Sequence, residues 1–134
     1  MNAIPIILIV TSICQVESSN RHNAINIYDG GSSSYGYCQI KWSTAKWLER
    51  VGLVDGQVDI TELWFNKEVN FRYAVAYFIF QYNRYKNIDK AIYAYNAGNA
   101  NKWNKNSLYL QKVKRIIQTK RLSQIKLAFR DATP

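Results

Sequence analysis

The sequence predicts a mainly α-helical fold, a single compact domain over residues 1–134, and three observations carry that reading. A chain of 134 residues is long enough for one buried core and too short for two domains of ordinary size. Hydrophobic residues make up 48% and charged residues 20%, with 6 Gly and 2 Pro, which excludes collagen-like, low-complexity and disordered chains. Along several segments apolar residues return every three or four positions, the period of a helix with one buried face.

The first helix is expected over Asn2–Ser18, with Pro5 tolerated in its first turn. Ile6, Val10 and Ile13 form its stripe, and the next position of that stripe, four residues on, is Glu17. The apolar run Ile4–Val10 does not read as a secretory signal, because no Lys or Arg precedes it and no small-residue cleavage pattern follows. It also falls short of the roughly 20 apolar residues that span a bilayer. Residues 18–36 are polar and loop-like. Trp42, Ala45, Leu48 and Glu49 suggest a second helix ending near Gly52, and residues 54–63 hold a turn and one helical turn. Residues 68–85 are apolar almost all round, with eight uninterrupted apolar residues from Tyr73 to Phe80, the pattern of a central core helix. The next helix starts near Asn87 or Asp89 and stops at Gly98, the residue suited to a left-handed helix end. Leu110, Val113 and Ile117 mark the last helix, and Lys112, Lys114, Arg115, Lys120, Arg121, Lys126 and Arg130 make 108–130 a basic C-terminal helix.

Lys+Arg outnumber Asp+Glu by 18 to 9, so an anionic partner is expected: nucleic acid, an acidic membrane surface or an acidic wall polymer. No recognition motif supports nucleic acid. Residues 31–36 have the outer spacing of a phosphate loop, but Tyr37 stands where its Lys belongs. A basic nucleic-acid-binding helical protein is therefore the rival reading, and no nucleic-acid partner is the expectation. Cys14 and Cys38 lack zinc-type spacing, and the only histidine, His22, reads as an exposed loop residue, which leaves no metal set and no activated thiol.

An ionised carboxylate on an apolar stripe is costly unless paired or protonated, and burial favours the protonated form. A carboxyl that keeps its proton near neutral pH is what general-acid cleavage of a glycosidic bond requires. A helix that simply ends at Glu17 and turns it to solvent fits the periodicity equally well. Three segments weigh on that choice: Glu17-Ser18, Gly36-Tyr37-Cys38-Gln39-Ile40 and Ala94-Tyr95-Asn96-Ala97-Gly98. In this order they resemble the lysozyme-like lytic transglycosylases of the soluble lytic transglycosylase domain family, related to goose-type lysozyme, and the resemblance covers residues 6–113. It implies a lysozyme-like fold with a glycan-binding cleft, Glu17 as catalytic acid/base, and Tyr95 within hydrogen-bonding reach of the Glu17 carboxyl or the sugar. It also implies Gln39 against the glycan and Ser32 or Ser34 near the substrate N-acetyl group, although the serine run reads equally as plain loop. Asn96 is expected to fix the helix end rather than touch substrate, and Gly36 to serve either a close approach of backbone to sugar or a tight turn.

Cys38 stands where that family usually has Met, and Tyr37 where it has Leu. A thiol packs as a small hydrophobe. The loop that carries Cys38 should fold over the helix of Cys14, so a bond between them is conceivable, while buried free thiols are the commoner arrangement. The implied reaction is cleavage of the MurNAc–GlcNAc β-1,4 bond in peptidoglycan glycan strands, with closure of a 1,6-anhydro ring. Hydrolysis normally takes a second carboxylate. Asp29 is the candidate, as in a goose-type muramidase, but Asp29 with Gly30 reads first as a turn. No cofactor and no metal are expected. The protein is expected to be a monomer made in the cytoplasm, carrying no export signal and released onto the periplasmic wall through a holin or another route, as a phage endolysin is. Its basic C-terminal helix is expected to meet an anionic outer-membrane surface.

Overall fold

The computed structural model describes residues 4–27 and 32–132. In chain order these form α1 (Ile6–Ser18), β1 (Ile25–Asn26), β2 (Ser34–Tyr35), β3 (Ile40–Lys41), α2 (Trp42–Arg50), α3 (Ile60–Phe65), α4 (Lys67–Tyr85), α5 (Ile88–Ala97) and α6 (Leu108–Ala132). The mainly α expectation holds. Helix α4 lies at the centre, with α1, α2, α3 and α5 packed on it and α6 laid across α1 and α5. Ile9, Val10, Ile13, Tyr73, Phe78, Ile92, Leu110 and Val113 fill the core between them.

Helix α1 starts later than the sequence suggests. Pro5 is its N-cap, in extended backbone at φ −60 and ψ 138, and its carbonyl accepts the Ile9 N–H at 3.2 Å. A residue that precedes proline is pushed out of the helical region, which stops the helix from running back through Ile4. Ile6 is 43% exposed, and the buried face is instead Leu8, Ile9, Val10 and Ile13. The helix stops directly after Glu17 and Ser18 because Ser19 and Asn20 both adopt left-handed backbone, φ 54 and 65. Arg21 then donates to the Ser18 carbonyl at 3.2 Å, a cation at the negative end of the helix.

Two strands from the segment read as loop and a third just after it form a three-stranded antiparallel sheet in the order β1-β2-β3. Ile25 pairs with Tyr35 and Asn26 with Ser34, while Ser34 and Tyr35 pair on the other side with Lys41 and Ile40. Strands of two residues are too short to show the alternation by which strands are recognised.

Asn70 of α4 holds this sheet to the core. Its side chain is fully buried, donates to the carbonyls of Tyr35 (2.8 Å) and Leu63 (2.7 Å), and accepts the Cys38 N–H at 2.7 Å. Gly36 sits directly against it at φ +79, where a Cβ would collide with the Asn70 side chain and the Leu63 carbonyl. The left-handed φ and the packing against Asn70 both require glycine at this position. Cys38 is disulfide-bonded to Cys14, and neither sulfur is exposed, so the free-thiol expectation is corrected. The turn stacks Cys38 onto α1 one helical turn before Glu17, which brings the two thiols together.

Glu49 of α2, half-buried, is committed to structure. It accepts from Tyr73 Oη at 2.6 Å, the Val58 N–H at 2.8 Å and Lys46 Nζ at 3.0 Å. Burial pushes its proton affinity up, but the hydrogen bonds and the Lys46 charge outweigh it and hold the carboxyl below its usual value.

Two consequences are measurable. The bridge spans 24 residues of chain, so the Cys14→Ala/Cys38→Ala variant should lose about 3 kcal/mol of unfolding free energy in urea. An unchanged midpoint would show that the bond adds nothing. Because the folded pKa of Glu49 lies below its unfolded value, its contribution is present above the ordinary carboxylate range and is lost as pH falls through the folded pKa. The stability gap between wild type and Glu49→Gln should accordingly shrink on acidification from pH 7, and a gap constant with pH would contradict the assignment.

Candidate active site

Four pieces of chain converge on a cavity of about 220 Å³: the last turn of α1 with Glu17, the Gln39–Ile40–Lys41 edge leading to Thr44, the α4 face with Tyr77, and the end of α5 from Tyr95 to Gly98. Two of these walls are held by hydrogen bonds to nearby backbone. Gln39 adopts left-handed backbone, φ 55, at a cost of about 1 kcal/mol. Its side-chain amide offsets that cost by donating to the carbonyls of Ala24 (3.1 Å) and Gly36 (3.0 Å). The α5 end is closed by Gly98 at φ +88, whose N–H returns to the Ala94 carbonyl at 2.7 Å. Buried Gln81 and neighbouring Arg84 both donate to the Gly98 carbonyl at 3.1 Å, and Arg84 also donates to Gln81 Oε1 at 3.0 Å.

The residues singled out in the sequence separate into those that face the cavity and those that do not. Glu17, Gln39, Tyr95 and Asn96 line it. Glu17 is half-buried, so the periodicity reading that turned it to free solvent is set aside. Asn96 does not fix the helix end, a task taken by Gln81 and Arg84. Its amide reaches across the groove to Glu17 Oε2 at 3.4 Å. Tyr95 lies in the wall, but its hydroxyl donates to the Cys38 carbonyl at 3.0 Å rather than to Glu17. Gly36 and Ser34 are buried and Ser32 is half-buried, and none of the three is among the described lining residues. Ser34 is enclosed as the middle strand of the sheet, between Asn26 and Lys41. Asp29 lies outside the described residues.

Tyr109, on the first turn of α6, was not singled out in the sequence. Its hydroxyl is buried and lacks a hydrogen bond of good geometry. Burial first, and then the charge and proximity of Glu17, push its pKa well above the ordinary value. Tyr95 is raised for the same two reasons, burial ahead of the Glu17 charge, and packs edge-on against Tyr77 at 5.2 Å between ring centroids. Both phenols therefore stay protonated at any working pH. The Tyr95 hydroxyl donates to the Cys38 carbonyl, and the Tyr109 hydroxyl is the one that lies beside Glu17. The only earlier signal for Tyr109 was its place beside Leu110 at the start of the last stripe, which reads as packing.

Glu17 sits at the negative end of α1, where the helix dipole opposes a negative charge. Neutral donors, Asn96 and Tyr109, are the groups that would steady it once ionised. Among the described residues Glu17 is the single carboxylate of the lining, and no three His, Cys, Asp or Glu side chains gather as a metal set. The arrangement is suited to one proton moving to and from one carboxyl.

A family model described as the transglycosylase SLT domain matches residues 7–117. No curated protein and no solved structure gives a significant match.

Burial and the Glu17 charge place the Tyr109 hydroxyl where its removal tests whether it bears on Glu17. Tyr109→Phe should lower kcat on purified walls roughly tenfold with KM nearly unchanged. An unaltered kcat would leave Tyr109 a packing residue.

Proposed function

Because the chain belongs to the transglycosylase SLT domain family, enzymes that act on peptidoglycan, we propose that it cuts the β-1,4 bond between N-acetylmuramic acid and N-acetylglucosamine. The bond breaks without water, and a 1,6-anhydromuramic end is left. The observation that carries this reading is the Glu17 carboxyl, the single one among the described lining residues, on a groove closed on its far side by residues 95–98.

In this reading Glu17 starts protonated and gives its proton to the bridging oxygen. The muramic acid C1–O bond then breaks, its electron pair leaving with the N-acetylglucosamine hydroxyl. The oxocarbenium-like sugar is stabilised by its own N-acetyl group. Glu17, now a carboxylate steadied by Asn96 and Tyr109, takes the proton of the muramic acid 6-hydroxyl as that oxygen closes onto C1. The acid is regenerated within one turnover, and no second carboxylate is required. Glu49 is not available as one, since its oxygens are spent on Tyr73, Val58 and Lys46. Tyr95 acts indirectly, by clamping the Cys38 carbonyl and so the Gln39 edge of the groove.

Glu17→Gln should reduce turbidity loss of purified cell walls by at least about a hundredfold while keeping the helical circular dichroism of the parent. Persistent lysis by the variant would refute the role of Glu17. Mass spectrometry of the wild-type digest should show muropeptides lighter by one water than hydrolysed reducing ends. Hydrolysed ends would make the enzyme a muramidase instead.

A further inference from the structure

Helix α6 is 25 residues long, about 37 Å at 1.5 Å per residue, and only its first half is built into the core. Leu110, Val113 and Ile117 are buried there, whereas Leu122, Ile125 and Phe129 are 51%, 62% and 77% exposed. The spacing of these three, three and then four residues, puts them on one stripe of the helix. At its base the stripe runs into an apolar groove of about 470 Å³ where Leu122 and Ile125 meet Ile4, Ile88, Ile92 and Ile117. A contiguous apolar surface of this kind marks a place of interaction.

Charge selects the occupant. The helix carries seven Lys and Arg against one Asp; Lys114 is paired with Asp89 at 3.0 Å, and helical geometry sets Arg121 along one border of the stripe and Arg115, Lys126 and Arg130 along the other. A second copy would bring an equally cationic helix to the same face. A nucleic acid or acidic wall polymer would satisfy the cations but leave the leucine and isoleucine side chains in water. A surface with anionic headgroups above hydrocarbon satisfies both, with the long basic side chains extended to the headgroup level. No described helix is long and apolar enough to cross a membrane, so the fit is to lie on one.

We propose that residues 118–130 of α6 dock in the interface of an anionic phospholipid bilayer, with Leu122, Ile125 and Phe129 inserted and the flanking cations on the phosphates. The first turn of the same helix carries Tyr109, beside Glu17. Its rise therefore holds the groove about 20–30 Å along the axis from the inserted stripe, a reach that directs cleavage to wall strands close to the membrane. The docking itself rests on α6 and the groove at its base, and only the direction of cleavage rests on the proposed function.

The full chain should co-sediment with vesicles of mixed phosphatidylglycerol and phosphatidylcholine, and at least about tenfold less with phosphatidylcholine alone. Leu122→Ser/Ile125→Ser and Lys126→Glu/Arg130→Glu should each weaken that partitioning by about tenfold or more, with helical circular dichroism and cleavage of purified walls in solution unchanged. Four results would overturn the proposal. They are no partitioning of the parent, equal partitioning into both vesicle types, partitioning insensitive to the apolar pair, or a dimer in sedimentation velocity that the apolar pair dissolves, which would assign the face to a second copy.

Discussion

Cys38 is held by three helices through three different atoms. Its sulfur is bonded to Cys14 of α1, its N–H donates to Asn70 of α4, and its carbonyl accepts from Tyr95 of α5. The covalent link restricts the unfolded chain, and each buried hydrogen bond contributes about 1 kcal/mol net. The larger effect is geometric. One residue sets the separation between the helix that ends in Glu17 and the helix that ends in Tyr95 and Asn96. Any loosening of Cys38 widens the groove from both sides at once.

The rest of the site is built outward from that residue. Gln39 follows it in a left-handed conformation, stabilised by the Ala24 and Gly36 carbonyls, and forms one rim. Gln81 and Arg84 hold the Gly98 carbonyl, so the opposite rim keeps its place without help from Asn96, whose amide is left facing Glu17. The polar groups buried in α4, Asn70 and Gln81, thus each serve one wall. Their burial in an otherwise apolar helix is tolerable because both side-chain amides are fully engaged in hydrogen bonds. A rigid frame of this kind suits chemistry in which one carboxyl must act first as acid and then as base without moving far.

Helices were legible in the sequence because their signals are periodic and local. Gly98 marked the end of α5, and the Leu110–Val113–Ile117 stripe marked the buried half of α6. Glu17 was legible because it interrupts an apolar stripe and because three short segments stand in a recognisable order. What could not be read depends on pairing between distant positions. Two-residue strands carry no alternation. Asn70 and Gln81 look like polar interruptions of a core helix until the carbonyls they satisfy, many residues away, are seen. The direction of the Tyr95 hydroxyl depends on where the Cys38 carbonyl lies, and the approach of Tyr109 to Glu17 depends on α6 crossing α1. The start of α1 differs from the expectation because Pro5, compatible with a first turn by its own φ, keeps Ile4 out of the helical region.

The account turns on where a glycan strand binds relative to Glu17. The most direct measurement is a crystal structure of Glu17→Gln, which lacks the acid, in complex with a tetrasaccharide of alternating N-acetylglucosamine and N-acetylmuramic acid. The sugar is expected between residues 39–41 and 95–98, with its central bridging oxygen about 3 Å from the side-chain amide at position 17. An ordered tetrasaccharide bound elsewhere, or lying in the groove with no bridging oxygen within hydrogen-bonding reach of position 17, would contradict it.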